Sequence, residues 1–325
     1  MAPPMSEETS SIISARRYGG KTTKRSRFGP KLEHQKRSTL ATTIACEKAG
    51  LHYHVLDSER AEHYLQTSEI EDLVLKTNRL ETILTISSRH TCSLEYLRAI
   101  APLLNKTRRI GLNLVVGNPT YLSDAEARSS ARDTLASLVA LARRILPEKE
   151  IFIGTEGLLD FSLSLAKRYD LNPFLLLDRD LEEHLQRVFR ETPEAKTAIY
   201  TPYLISEADE ELSNEILKLL GPYVIRRKWV QKRLEKIGYE LTNESTTRLV
   251  EYSEGTPTEP QQSELRRILL DSASELAICG DRLEVSEGIR SLFEKGIDLV
   301  VGLPAKDCEE QVIALGQCVA TASTR

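Results

Sequence analysis

The stretch EIFIGTEGLLDFSLSLAKRYD, residues 150–170, contains one complete unit of the fold. Ile151-Phe152-Ile153 is a short apolar run, Gly154-Thr155-Glu156-Gly157 is a glycine-flanked turn, and the apolar residues that follow fall at helical spacing. A strand, a sharp turn and an amphipathic helix in that order make a βα unit. The turn has two readings. Its amide groups, at the start of a helix, can hold a phosphate, and the same four residue types also serve wherever a strand simply bends into a helix.

Outward from this unit the rhythm repeats. Short apolar runs at 51–56, 80–86, 110–116, 151–153, 173–177, 198–205 and 299–301 alternate with longer amphipathic segments, and a weaker run at 11–15, placed first, completes eight strands. Helix-start signals fall between them: Ser123 and Glu126, and Asp180 and Glu183, have capping-box spacing, and Ser206 leads an acidic turn. Eight parallel strands leave no exposed edge if they close, so the pattern predicts an α/β (β/α)8 TIM barrel, with an open doubly wound sheet as the alternative. The expected organisation is a basic arm with the weak first strand at 1–38 and one barrel domain at 39–325. A Thr/Ser/Glu/Pro-rich insertion interrupts the barrel near 240–263.

Composition narrows the class. A chain of 325 residues with 40% apolar and 28% charged residues is that of a globular protein. No run approaches the roughly 20 apolar residues of a membrane span, and the first residues lack the apolar core of a signal peptide. The expectation is a cytoplasmic protein with no membrane contact. Five scattered cysteines form no C-x-x-C pair and read as thiols, with Cys92, next to Arg89-His90, as the one candidate for reactivity. The net charge of −4 conceals a segment, 16–37, with nine basic residues and a single acid, Glu33. Such a segment is either a solvated arm or a site for an anionic partner, whether phosphorylated ligand, nucleic acid or acidic protein.

In a parallel barrel the residues that follow each strand converge on one mouth. Here they are Asp57 and Ser58, Ser87 to His90, Gly117 and Asn118, Gly154 to Gly157, Asp178, and Gly302. They are rich in small residues and hydroxyls. No G-x-S-x-G elbow, H-E-x-x-H helix or Walker loop occurs, which disfavours a hydrolase or kinase. His52 and His54 share one face of the second strand and read first as core hydrogen-bonding groups; with Asp57 they are the residues of a weaker, metal-enzyme reading, and no metal site is expected. The segment RRKWVQKR, 226–233, spaces Trp229 and Arg233 onto one side of an amphipathic helix.

Four segments carry a family resemblance: TNRLETILTIS (77–87), RRIGLNLVVGNP (108–119), EIFIGTEG (150–157) and, most tellingly, ELAICGDRLEVSEGIRSLFEKGIDLVVGLP (275–304). Their order resembles the bacterial luciferase-like family of flavin- and deazaflavin-dependent (β/α)8 oxidoreductases, and NPTYLSDAEA (118–127) gives it an archaeal flavour. The resemblance implies a coenzyme F420 (deazaflavin) or FMN cofactor across the barrel mouth, with cofactor-binding residues Gly117, Asn118, Gly154, Thr155, Glu156, Gly157 and Gly302. It also implies hydride transfer to a small-molecule substrate. Where the family often has Asp-His after its second strand, this chain has Asp57-Ser58, so the redox-centre role falls to Asp57 and His90. The rival expectation is a degenerate, non-catalytic barrel that binds an anionic partner through 16–37. Whether the chain is an enzyme, which cofactor it takes and whether it forms a homo-oligomer stay open at this point.

Overall fold

The computed structural model describes residues 31–33, 38–57, 60–118, 122–207, 227–238, 260–304 and 308–323. Nine strands form one sheet: β1 (Lys31–Glu33), β2 (Tyr53–Asp57), β3 (Glu81–Ser87), β4 (Ile110–Val115), β5 (Ile151–Gly154), β6 (Asn172–Leu176), β7 (Ala198–Ile205), β8 (Ile278–Gly280) and β9 (Leu299–Pro304). Around them lie α1 (Ser38–Lys48), α2 (Thr67–Lys76), α3 (Ser93–Lys106), the single turn α4 (Asp124–Ala127), α5 (Ala131–Ile145), α6 (Leu159–Tyr169) and α7 (Leu181–Glu191). Four more follow: α8 (Lys228–Lys236), α9 (Pro260–Ser274), α10 (Arg282–Glu294) and α11 (Cys308–Ser323).

Every strand pair is parallel. β1 to β7 are neighbours in chain order, β9 runs beside β7 along 198–203, and the short β8 meets β7 only at 203–205. The sheet curls until β9 comes up against β1, which brings its two ends together. This is the expected α/β barrel. Its first strand differs from expectation, since the run at 11–15 lies outside the described residues and β1 comes from the end of the basic arm. Three residues with two charges have no apolar period, so this strand exists by pairing with β2 rather than by propensity. The weak β8 was likewise not expected. Most of the polar insertion lies outside the described residues; its last residues open α9 at Pro260.

Side chains alternate across the sheet. In β5, Ile151 and Ile153 join the outer core between strands and helices, while Phe152 joins the inner cluster with Val55, Ile83, Leu299, Val301 and Leu303. Each such aliphatic side chain taken out of water contributes about 2 kcal/mol. The helices supply the other half of the outer core, for example Leu135, Leu138 and Val139 of α5. α6 ends at Asp170, which takes the left-handed conformation (φ +53°).

His54 belongs to this outer layer and not to the lumen. It is buried with Thr43 of α1 and Thr82 of β3 each 3.5 Å from a ring nitrogen, so the metal reading of His52, His54 and Asp57 finds this ring turned toward α1. At the seam, α11 packs on α1. A Cβ at Gly316 would collide with the Ala49 carbonyl, so the two helices approach as only glycine permits. Among the described residues no helix is long and apolar enough to cross a membrane.

Candidate active site at the barrel mouth

β3 ends at Ser87, whose Oγ donates to the Val116 carbonyl at 3.3 Å. Gly117, just past β4, has φ +90°, and a Cβ there would overlap that same Oγ. The two strand ends are therefore held together by a serine and a glycine with no room for a larger pair. Below them Tyr64 stacks on Tyr96 (4.3 Å between centroids) and shares hydrogen bonds with Ser93 Oγ (3.0 Å) and the Ser87 carbonyl (3.3 Å).

The turn after β3 is clamped by the turn after β4. His90, 5% exposed, has Nδ1 3.3 Å from Glu126 Oε1, and the Thr91 amide donates to the same oxygen at 3.0 Å. Glu126 Oε2 accepts from the amide and hydroxyl of Ser123, the capping box expected from spacing. Arg89 reaches the Ala127 carbonyl at 2.5 Å. Burial by itself raises the Glu126 carboxyl, but the donors from Ser123, Thr91 and His90 outweigh it and bring it down to about 2. His90 is thus gripped by an ionised carboxylate. Cys92 beside it has its thiol pushed up, chiefly by burial, which disfavours the reactive thiolate.

The β5 turn divides its groups. The Thr155 amide and hydroxyl both donate to the Phe174 carbonyl (3.1 and 3.2 Å), and the Leu158 amide donates to Thr155. Gly154 packs flat, since a Cβ there would meet Val115 Cγ1 at 2.9 Å. Gly157 is different: its φ is +72° and nothing lies within 4 Å of where a Cβ would stand. α6 follows directly, with Leu158 at the N-cap and no side chain capping it. Glu156 is exposed, and Arg227 bridges it (3.6 Å) to Asp178 at the end of β6 (3.1 Å). Arg227 leads α8, where Trp229 lies under Arg179 (5.5 Å) and Arg233 (5.7 Å), the side-by-side placement expected of Trp229 and Arg233.

Other expected residues fall elsewhere. Gly302 lies inside β9, paired with Thr201, because the strand runs on to Pro304. Asp57 closes β2 beside Glu33 of β1. Asn118 lies just after β4, next to Gly117. Asp180 takes the N-cap position of α7 but makes no capping bond. Among the described residues no group of three or more His, Cys, Asp or Glu stands ready to hold a metal.

Two participants were not singled out by sequence. Arg227 meets Asp178 only through the fold, so no local signal marks it. Asn113, in the middle of β4, is the other: Leu112 and Leu114 on either side belong to the outer core, so the polar residue between them faces the lumen.

The parallel sheet, curled into a barrel with helices around it and polar, glycine-bordered groups at one end, is an α/β fold of the TIM-barrel kind that luciferase-like proteins share. Two solved structures share it: the coenzyme F420 dependent tetrahydromethanopterin reductase of Methanopyrus kandleri (TM-score 0.62, 16% identity, 90% of this chain and 98% of that one) and the oxygenating constituent of 3,6-diketocamphane monooxygenase of Pseudomonas putida, solved in complex with FMN (TM-score 0.56, 14% identity, 90% and 93%). The structure of apo-MsnO8 is also similar (TM-score 0.53, 12% identity, 88% and 92%). By sequence the chain belongs to DUF7388, a family of unknown function, whose model matches residues 37–311. No curated protein matches it.

Proposed function

We propose that this protein is an oxidoreductase of the luciferase-like kind, holding F420 or FMN at the barrel mouth and serving a small-molecule substrate. The observation that carries this reading is the start of α6: an uncapped helix N-terminus behind a glycine that opens on free space. Unspent amides with the positive end of the helix dipole suit the phosphate that both cofactors carry. Arg227 supports it by offsetting the negative charge of Glu156 at the same turn. The likeness of fold to an F420 dependent and an FMN-bound protein over nearly the whole chain points the same way.

When bound, such a ring supplies the hydride chemistry. The chain's own residues place and enclose it. The first turn of α6 holds the anionic tail, Ser87 and Gly117 keep the β3 and β4 ends close, and the His90–Glu126 pair fixes the two turns above them. His90 acts here as a positioning residue. Titrating the purified protein with FMN and with F420, each oxidised and reduced, is expected to change cofactor fluorescence or absorbance with a micromolar midpoint. Silence from all four overturns the reading and favours a non-catalytic barrel that works through its basic segment, 16–37.

A further inference from the structure

The inner face of the barrel is apolar at β2, β5 and β9, with Val55, Phe152, Leu299 and Val301 packed together. Asn113 interrupts it. Its backbone is in register with Thr85 on one side and Phe152 on the other, and Phe152 faces the lumen, so Asn113 does too. The residue is 3% exposed. Its Nδ2 donates to Thr85 Oγ1 at 3.4 Å, and among the described residues Oδ1 has no partner. Turning the amide over only exchanges which end is left over.

A buried amide group without a partner destabilises a fold, and leucine at this position would match both the strand and the lining. An orphan kept in such a place marks where something else completes the hydrogen bond. One layer above it, Ser87 and Val115 lie side by side at the ends of β3 and β4, Gly117 follows β4, and Gly154 ends β5. The amide therefore sits one layer below the strand ends that form the mouth.

We infer that Asn113 is a ligand-contacting residue that pairs with the imide edge of a planar heterocycle entering the lumen from the mouth. The inference rests on the proposed function, whose two cofactors both carry such an edge: an N–H flanked by two carbonyls. That edge offers a donor to Oδ1 and, with the amide reversed, an acceptor to Nδ2. The residue decides how the ring is turned, because only one edge of the ring satisfies it.

The test combines a variant with a modified probe. Affinities of the wild type and of Asn113→Leu are measured for FMN and for FMN methylated on the imide nitrogen, alongside F420, and the melting temperature of each protein is taken without ligand. The expected result is that the variant melts no lower than the wild type and binds FMN and F420 about tenfold more weakly, while methylation weakens the wild type about tenfold and leaves the variant nearly unaffected. Wild-type tolerance of the methyl group, or tight binding by the variant, overturns the inference and leaves the proposed function standing. Should the variant fold poorly, the methylated probe on the wild type decides alone. Failure of the wild type to bind either cofactor overturns both.

Discussion

His90 Nδ1 lies 3.3 Å from Glu126 Oε1, and through that contact the exit of β3 is tied to the single helical turn after β4. The carboxylate gathers two backbone amides and the Ser123 hydroxyl as well. Because its folded value lies at about 2, below the ordinary 4.5, its contribution to stability is present above pH 4.5 and is lost as pH falls from there toward 2. Glu126→Gln is expected to cost about 1–2 kcal/mol at neutral pH and to remove this acid dependence. Urea unfolding of both proteins between pH 5 and pH 3 checks it.

His54 governs a different window. Burial holds it neutral, with its folded value lowered to about 3 from 6.5. Only the unfolded chain takes up a proton in this range, so stability is complete above pH 6.5 and falls below it by up to about 1.4 kcal/mol per pH unit. Glu126 still contributes in full between pH 6.5 and 5, so a slope there belongs to His54. His54→Gln is expected to flatten it, measured as denaturation midpoints at pH 7.5, 6.5 and 5.5.

Two glycines with positive φ invite opposite outcomes. Gly117→Ala meets Ser87 as well as a strained backbone and is expected to cost about 3 kcal/mol. Gly157→Ala meets only the backbone strain, about 1 kcal/mol. Equal losses in chemical denaturation would refute the close packing of the β3 end against Gly117.

Arg227 holds α8 to the mouth through Asp178 and Glu156. Arg227→Ala is expected to raise amide exchange in α8 by about fivefold while leaving β3 to β5 unchanged, since this pair of ionic contacts near the surface is worth about 1 kcal/mol and its effect stays local. Hydrogen–deuterium exchange resolves the two regions.

Deletion of Lys31–Glu33 removes the strand that covers one side of β2 and approaches β9. A fall of several degrees in melting temperature is expected. A barrel unchanged in its melting would show β1 to be dispensable.

Much of the architecture could be read from the chain, because apolar runs such as Ile151 to Ile153 and capping pairs such as Ser123 and Glu126 are local signals. β1 and β8 were not readable, since three-residue strands derive their identity from neighbours contributed by distant segments. Gly302 was expected beyond the last strand and lies within it, as periodicity cannot distinguish the end of a strand from a glycine inside one. At the mouth, the turn at Gly154 to Gly157 was recognised as a unit, but only the structure shows Thr155 occupied by the Phe174 carbonyl and Gly157 open. Asn113 carries no local signal, because a polar residue in an apolar run becomes meaningful only when its facing is known.

The seam where Gly316 of α11 settles against Ala49 has a consequence for biosynthesis. A nascent chain emerging from the ribosome carries α1 long before α11 is made, so α1 waits for its partner while the barrel between them is synthesised. Until then the growing sheet keeps a bare flank, ready to pair with another polypeptide. Chaperone dependence in the cell would then be governed by this late docking, and a substitution at residue 316 would reveal itself first as a loss of soluble yield.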